Sequence, residues 1–264
     1  MAPARKDEIV LQDNPVQKET TQLIIGRNAV SEVLRSRQEV ESIYIQKGMQ
    51  KGGIGRILAL AKDQGVPVKE VAQAKLDALS EGENHQGVAA LMAAYAYASL
   101  EEIIRPTGKP ALIVLADGIE DPHNLGAIIR TAEAVGANGL VVPKRRSAGL
   151  SPIVGKTSAG AVAHLPVARV PNLVAAIGWL KEQGVWIYCA DMEGQSYAQA
   201  DLTGPVALVI GSEGKGVSRL VRENCDFTLS LPMFGRINSL NASVAAGILM
   251  YEVVRQRNAA PPTL

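Results

Sequence analysis

The chain is poor in aromatic residues, in cysteine and in net charge. Aromatic residues make up 4% of its 264 residues, the cysteines are Cys189 and Cys225, and the formal net charge at pH 7 is +1. The two cysteines are far apart in sequence and lack CxxC or Cys/His spacing, so neither a disulfide framework nor a zinc site is indicated. The three histidines form no metal-ligand cluster. We therefore expect reduced thiols and no bound metal.

Long apolar runs are also missing. The longest apolar stretch, residues 244–254, contains Glu252 and is too short to span a bilayer. Residues 1–21 are polar and lack the apolar core of a signal peptide. These features predict a cytoplasmic protein. Hydrophobic residues reach 47% and charged residues 20%, which is enough for a folded core. Because the net charge is so small, any basic surface for an anionic partner must be local.

Periodicity divides the chain into four parts. Residues 1–21 predict a flexible tail, 22–95 a small α/β/α domain, 96–109 a linker, and 110–264 a larger α/β domain. In the small domain the pattern predicts helices at 24–37, 54–63 and 75–79, and strands at 40–46, 66–70 and 87–94.

The larger domain alternates strand and helix. The pattern predicts strands at 111–116, 139–143, 164–169, 185–190, 206–211 and 227–231, and helices at 125–135, 151–161, 173–183, 218–222 and 240–257. Such alternation favours right-handed crossovers and a parallel sheet. No G-x-G-x-x-G follows the first strand, so an ordinary dinucleotide site is not indicated.

Residues 117–132 form the most informative segment. They follow a buried strand and lead through a polar turn into a helix that Asn124 is expected to cap with its side-chain oxygen. Asn124 and Arg130 place an amide and a guanidinium at a strand-to-helix corner, where open α/β sheets carry their chemistry. Taken alone, a helix cap and a solvated arginine would account for both residues.

Two further segments place polar residues beside buried elements. Residues 206–217 form a buried strand and a glycine-rich turn in which Glu213 follows Gly211, and a plain turn accounts for the glycines better than for the acid. Residues 231–245 form a short strand, a loop and the start of an apolar helix, which Ser239 or Asn241 could cap.

In this order, the three segments resemble the motifs of the SpoU-type (TrmH-like) RNA ribose 2′-O-methyltransferases. The resemblance implies an α/β fold with a C-terminal trefoil knot, S-adenosylmethionine as cofactor, and a homodimer. It implies active-site residues at Asn124, Arg130, Glu213, Ser239 and Asn241. It implies cofactor contacts at Ala190, Ile210, Gly211, Leu231, Met233 and Leu240. Asn238 stands where relatives often have an acidic residue. The last helix is apolar on several faces, which suits a dimer or a buried monomer core.

Two phrases near the N-terminus, residues 25–30 and 85–90, resemble an RNA-binding extension of L30e-like fold that precedes some SpoU-type catalytic domains. RNA contacts are therefore expected at Arg27, Asn28 and His85, and at the basic cluster Lys144, Arg145 and Arg146. The alternatives are a satisfied loop histidine at His85 and a solvated charged face for the cluster.

The implied reaction is transfer of a methyl group to a ribose 2′-hydroxyl. Arg130 matches the family's proposed base, but a guanidinium is almost never neutral in a protein, so an electrostatic clamp on the developing alkoxide is the alternative. The resemblance points first to a guanosine of 23S ribosomal RNA. The alternatives are a tRNA or another rRNA position, or a non-catalytic RNA-binding or ribosome-assembly protein.

Overall fold

The chain folds around two β-sheets of different construction. The structure, a computed structural model, describes residues 23–36, 39–49, 54–80, 82–236 and 239–259. The predicted tail and Asn238 lie outside these ranges.

The N-terminal sheet has four strands and mixed direction. Its elements are β1 (Leu23–Ile25), α1 (Arg27–Arg35), β2 (Val40–Gln46), α2 (Gly55–Asp63), β3 (Val68–Val71), α3 (Gln73–Leu79) and β4 (Val88–Met92). The strand order is β1-β4-β2-β3, with β4 antiparallel to both β1 and β2. The structure contradicts the predicted start of the first helix, because residues 23–25 pair with distant β4 and Gly26, with φ of 89°, ends the strand.

The predicted linker contains a short helix, α4 (Leu100–Ile103). Ser99 accepts a hydrogen bond from the backbone N–H of Glu102, and the Glu102 carboxylate accepts one from the backbone N–H of Ser99. This reciprocal capping box is readable from the Ser-x-x-Glu spacing. Hydrophobic periodicity missed it because the helix is only four residues long.

The C-terminal sheet has six strands, and all of its pairings are parallel, which confirms the predicted fold class. Its elements are β5 (Leu112–Asp117), α5 (Pro122–Ala134), β6 (Gly139–Pro143), α6 (Pro152–Thr157), β7 (Val167–Val170), α7 (Leu173–Glu182), β8 (Trp186–Ser196), β9 (Val206–Gly211), α8 (Arg219–Glu223), β10 (Phe227–Ser230) and α9 (Ala242–Ala259). Short 3-10 turns lie at Ala161–Ala163 and Tyr197–Gln199.

The strand order favours a ligand site at the carboxyl ends of β5 and β9. The order is β10-β8-β9-β5-β6-β7, so the chain leaves β5 towards β6 and leaves β9 towards the opposite side of the sheet. In open parallel sheets, the crevice beyond the carboxyl ends of two such strands is the usual ligand site. The carboxyl ends of β5 and β9 lie side by side, because Asp117 is in register with Gly211.

Alternating side chains of the sheet bury both of its faces. Val114 and Leu208 face α5 and α9, whereas Ile113 and Val209 face α7 and α8, in two separate buried clusters. This double covering is the reason that the strands read as continuous apolar runs.

Helix α9 is anchored at its C-terminal end by Arg257. The guanidinium donates hydrogen bonds to the backbone carbonyls of Pro110, Ala111 and Gly204, and burial lowers the pKa of Arg257. No helix among the described residues has the length and apolar character that crossing a membrane requires. The C-terminal trefoil knot stays a prediction of the resemblance.

Candidate active site

Three segments that are distant in sequence meet at the carboxyl ends of β5 and β9. Asn124 lies in the first turn of α5, Glu213 lies in the loop after β9, and Asn241 immediately precedes α9. The side-chain amide of Asn124 donates to Oε1 of Glu213 over 3.1 Å, and that of Asn241 donates to Oδ1 of Asn124 over 2.9 Å. Asn241 also donates to Oε1 of Glu213. The three side chains form a closed hydrogen-bonded triangle.

Asn241 belongs to this triangle and caps α9. Its Oδ1 accepts hydrogen bonds from the backbone N–H of Ser243 at 2.9 Å and of Val244 at 3.4 Å, while its amide nitrogen serves the triangle. The helix cap left open by the sequence is therefore present at Asn241, and the same side chain also joins the triangle. Through its two partners, the Glu213 carboxylate lies beside the first turns of α5 and α9. Because helix N-termini stabilise negative charge, both helices favour the ionised carboxylate.

The predicted capping role of Asn124 is wrong. Asp121 caps α5, because its carboxylate accepts a hydrogen bond from the backbone N–H of His123 at 2.9 Å, and Pro122 follows at the first helical position. An acid followed by proline is a known N-terminal helix signature. Asn124 lies three residues into the helix, so its side chain is free to serve the triangle.

The loop that carries Glu213 is held by close backbone contacts. Ser212 and Gly216 exchange two backbone hydrogen bonds, of 3.1 and 2.9 Å, so that residues 213–215 form a tight tip. A Cβ atom at Gly211 would lie 2.0 Å from the backbone of Gly216, so no side chain fits there. Gly214 and Gly216 both have positive φ, at 78° and 64°.

Asp117, the last residue of β5, ties this loop to the sheet. Its Oδ2 accepts a hydrogen bond of 2.7 Å from the backbone N–H of Ser218, which immediately precedes α8. Sequence reasoning assigned no role to Asp117, although an acid at the end of a buried parallel strand was a usable signal.

The triangle borders a cleft of about 880 Å³ that we call the switch-point cleft. Asn124 and Glu213 line it together with the basic residues Arg145, Arg146 and Lys215. Arg146 has φ of 56°, a conformation that residues other than glycine rarely adopt. Arg145 and Arg146 are exposed. Asp117, Glu120 and Asp121 also line the cleft. The cleft therefore offers fixed hydrogen-bonding groups and, at Arg145 and Arg146, a local exposed basic wall.

Arg130 and Ser239 lie outside the triangle. Arg130 is exposed, and within the described part of the chain it makes no hydrogen bond or ion pair. Six residues along a helix correspond to a rotation of about 240°, so Arg130 points away from Asn124. Ser239 is exposed beside Asn241. The structure therefore brings together three of the five predicted catalytic residues.

The predicted cofactor residues lie on or after three adjacent strands. Ala190 lies within β8, Ile210 and Gly211 end β9, and Leu231 follows β10. Ile210 is buried in the core, so it can offer a ligand only backbone groups, whereas Met233 and Leu240 are 36% and 38% exposed. Ala190 and Leu231 are partly buried against the same core cluster. The register between β8 and β10 jumps from Cys189–Thr228 to Gln195–Leu229, which leaves residues 190–194 outside this strand pairing.

The N-terminal candidates form a separate cluster. Nε2 of His85 lies 2.8 Å from Oδ1 of Asp77, and Nδ1 accepts a hydrogen bond from the backbone N–H of Gly87 at 2.9 Å. Since both ring nitrogens are engaged and the side chain is buried, His85 shapes the loop. Nε of Arg27 donates to the carbonyl of Gln86 at 3.2 Å, and Asn28 is exposed. Arg27 and Asn28 are therefore better placed than His85 to contact a ligand.

Lys144 separates from the rest of its basic cluster. Its Nζ donates a 3.0 Å hydrogen bond to the carbonyl of Gln64, at the contact between the two sheets. No group of His, Cys, Asp and Glu side chains among the described residues is arranged to hold a metal ion.

Comparison with known proteins decides the family. Residues 111–251 match the model of the SpoU rRNA Methylase family, and residues 23–98 match the model described as RNA 2′-O ribose methyltransferase substrate binding. The chain belongs to the SpoU methylase family. A Bacillus subtilis (strain 168) relative, YacO, which is assigned to the TrmH family of tRNA/rRNA methyltransferases, is 47% identical over 89% of this chain and 96% of its own length.

Solved structures of SpoU methylases share the fold. AviRb from Streptomyces viridochromogenes, in complex with the cofactor AdoMet, is 28% identical, with a TM-score of 0.59 over 90% of this chain and 91% of its own. An RNA 2′-O ribose methyltransferase is 31% identical, with a TM-score of 0.55 over 89% of this chain and 88% of its own. The three segments that first suggested the family all lie within the region that matches the methylase model.

The close approach at Gly211 leads to a stability prediction. Gly211→Ala should lower the free energy of unfolding by about 1–3 kcal/mol, because the added methyl group meets the backbone of the Glu213 loop. Urea unfolding measures this change. Gly204→Ala is the matched control, since a Cβ there meets nothing within 4 Å. Equal unfolding midpoints for the two variants would contradict the close backbone contact described at Gly211.

Proposed function

We propose that this SpoU methylase transfers a methyl group from S-adenosylmethionine to a ribose 2′-hydroxyl of RNA at the switch-point cleft. The observation that carries the proposal is the hydrogen-bonded triangle. Its members are separated by 89, 117 and 28 residues in sequence. Convergence of three polar side chains at the open end of a parallel sheet indicates a functional site more than a structural one.

The residues near the ends of β8, β9 and β10 suit the cofactor. Residues 190–194 lie outside the β8–β10 pairing. Met233 and Leu240, which precede Asn241 in the sequence, are partly exposed apolar side chains. Backbone polar groups together with apolar side chains match a ligand that contains an adenine ring, a ribose and an amino-acid tail. When bound, S-adenosylmethionine supplies the electrophilic methyl group.

Within this proposal the triangle positions the ribose. Asn124 and Asn241 fix the Glu213 carboxylate at one point, where it can accept a hydrogen bond from a sugar hydroxyl. Because Arg130 points away from Asn124 on α5, the triangle orients the substrate and not the Arg130 of the same protomer. Ser239, beside Asn241, is accessible to the same ligand.

We assign Arg130 the role of an electrostatic clamp. A guanidinium stays protonated in proteins, so Arg130 suits stabilisation of the negative charge on the 2′-oxygen better than removal of its proton. Because Arg130 points away from the triangle of its own protomer, we propose that it acts on the ribose held by a second copy of the chain. Its exposed position without a protein partner among the described residues leaves its charge available to RNA.

The proposed organisation assigns RNA binding to residues 22–95, with a linker at 96–109 and the catalytic domain at 110–264. The proposed RNA contacts are the partly exposed Arg27 and the exposed Asn28 on the first unit, and the exposed Arg145 and Arg146 at the cleft. We propose a guanosine of 23S ribosomal RNA as the target. A tRNA target is the second candidate, because the assignment of the B. subtilis relative names both substrates.

Transfer of labelled methyl from S-adenosylmethionine tests the function and the target together. We expect label on one 2′-oxygen of unmodified large-subunit RNA, and none on bulk tRNA. Mapping the 2′-O-methyl nucleotide identifies the position. Label on tRNA alone would replace the proposed substrate, and RNA binding without any transfer would favour the non-catalytic function.

Arg130→Ala should lower the methyl-transfer rate by about 100- to 1,000-fold, as the loss of one transition-state donor does elsewhere. The affinity for S-adenosylmethionine should hardly change. Arg130→Lys should keep part of the rate, because a clamp needs mainly positive charge. Arg219→Ala is the control, because Arg219 is exposed and its one ion pair among the described residues is with Glu223 on its own helix. Undiminished turnover of Arg130→Ala would remove Arg130 from the mechanism.

We also propose that the outer face of α9 joins two copies of the chain. Val244, Ile248 and Tyr251 recur at helical spacing along this face and are 49%, 37% and 55% exposed. Ile248→Glu should convert a dimer into a monomer, because a carboxylate cannot be buried there without a partner. Sedimentation equilibrium measures the mass, with Leu220→Glu on α8 as control. A monomeric wild type, or a dimeric Ile248→Glu, would contradict this interface.

A further inference from the structure

The two sheets contact each other through a buried ion pair. Glu41, on β2, lies 3.5 Å from the guanidinium of Arg169, on β7, and the two side chains are only 13% and 7% exposed. Arg169 also donates to the backbone carbonyls of Val40 at 3.3 Å and of Glu41 at 3.1 Å. A buried ion pair is tolerated when its remaining donors are satisfied in this way.

Tyr97 links this ion pair to the backbone of Leu150. Its hydroxyl donates to Oε2 of Glu41 at 3.1 Å and accepts a hydrogen bond from the backbone N–H of Leu150 at 3.0 Å. The guanidinium of Arg169 stacks 5.2 Å from the centre of the Tyr97 ring. Burial, followed by the Glu41 carboxylate, raises the pKa of Tyr97, so the hydroxyl keeps the proton that it donates.

The segment 144–150 is held at both ends by the N-terminal unit. At one end Lys144 donates to the carbonyl of Gln64 at 3.0 Å, and at the other the carbonyl of Leu150 accepts from the backbone N–H of Ala94 at 3.0 Å. Gly149 lies directly over Glu41, since a Cβ there would come within 1.7 Å of the carboxylate. The position of residues 144–150 therefore depends on the position of Glu41.

The middle of the same segment forms a wall of the switch-point cleft. Arg145 and Arg146 line the cleft, and Arg146 is held at φ of 56°. The backbone N–H of Ala148 donates 2.7 Å to the carbonyl of Ile119, in the turn that leads from β5 to α5. A non-glycine residue persists in this conformation only where its surroundings impose it.

We infer that Glu41, Tyr97 and Arg169, which we call the inter-sheet clamp, are positioning residues that hold Arg145 and Arg146 for the phosphates of the RNA strand in the cleft. This inference rests on the proposed function. It gives the contact between the two units a task beyond joining them, because the N-terminal unit completes the basic wall of the cleft that the methylase region contains.

Tyr97→Phe is the sharpest test, because it removes one hydroxyl and keeps the ring that stacks on Arg169. We expect faster amide hydrogen exchange at Ala148 and Leu150, and a rise of about tenfold in the KM for RNA, as for loss of a hydrogen bond to a charged group. The affinity for S-adenosylmethionine should stay unchanged. Loss of two phosphate contacts should make the slope of log binding constant against log salt shallower by about 1.4.

Tyr188→Phe is the matched control. Tyr188 is a buried tyrosine whose hydroxyl donates a hydrogen bond of 2.8 Å to the backbone carbonyl of Asp201. It lies outside the clamp. It should therefore leave the salt slope and the exchange of residues 144–150 at wild-type values. Glu41→Gln, compared with Asp226→Asn in the Lys181–Asp226 ion pair, repeats the test with an isosteric change.

The outcomes separate the clamp from the proposed function. RNA binding by the wild type without methyl transfer would overturn the proposed function, while the salt slope and the hydrogen exchange would still decide the clamp. Wild-type slope and exchange in Tyr97→Phe would overturn the clamp and leave the proposed function intact. Faster exchange with an unchanged salt slope would also overturn it, because the segment would then be loosened without affecting phosphate contacts.

Discussion

The parallel pairing of β5 with β9 is the interaction on which the candidate site depends. Six residue pairs, from Leu112–Val206 to Asp117–Gly211, hold the two strands in register. Their carboxyl ends therefore lie side by side although they are far apart in sequence. The turn after β5 leads to Asn124, and the loop after β9 carries Glu213. A shift in this register would separate the two side chains, since strand pairing sets the position of everything that follows each strand.

The sequence predicted the parallel sheet well, because buried strands flanked by helices leave a strong pattern of apolar runs. It missed β1 and mistook its residues for the start of α1, because a three-residue strand is defined by its partner β4 and not by its own period. The extension of β8 to Ser196 was missed as well. Its last residues pair with β10 only after a jump in register, which no local pattern encodes.

Part of the candidate site was predictable from the sequence and part was not. Asn124, Glu213 and Asn241 were found as members of three motifs, and the structure brings them into contact. Arg130 came from the same motif but lies on another side of α5, because helical rotation separates residues that are close in sequence. The clamp residues Glu41, Tyr97 and Arg169 could not be found from the sequence, since they come together only where the two sheets meet.

The Asn241 side chain has two roles, since its oxygen caps α9 and its nitrogen contacts Glu213. Together these roles restrict which residues can replace it. Aspartate caps a helix as well as asparagine does, so capping of α9 alone would tolerate the exchange. It would, however, replace the amide nitrogen that faces Glu213 with a second carboxylate oxygen, and two adjacent carboxylates cannot both ionise readily. Serine would keep a cap but is too short for the triangle. Substitutions that the helix alone would tolerate are therefore not tolerated at this residue.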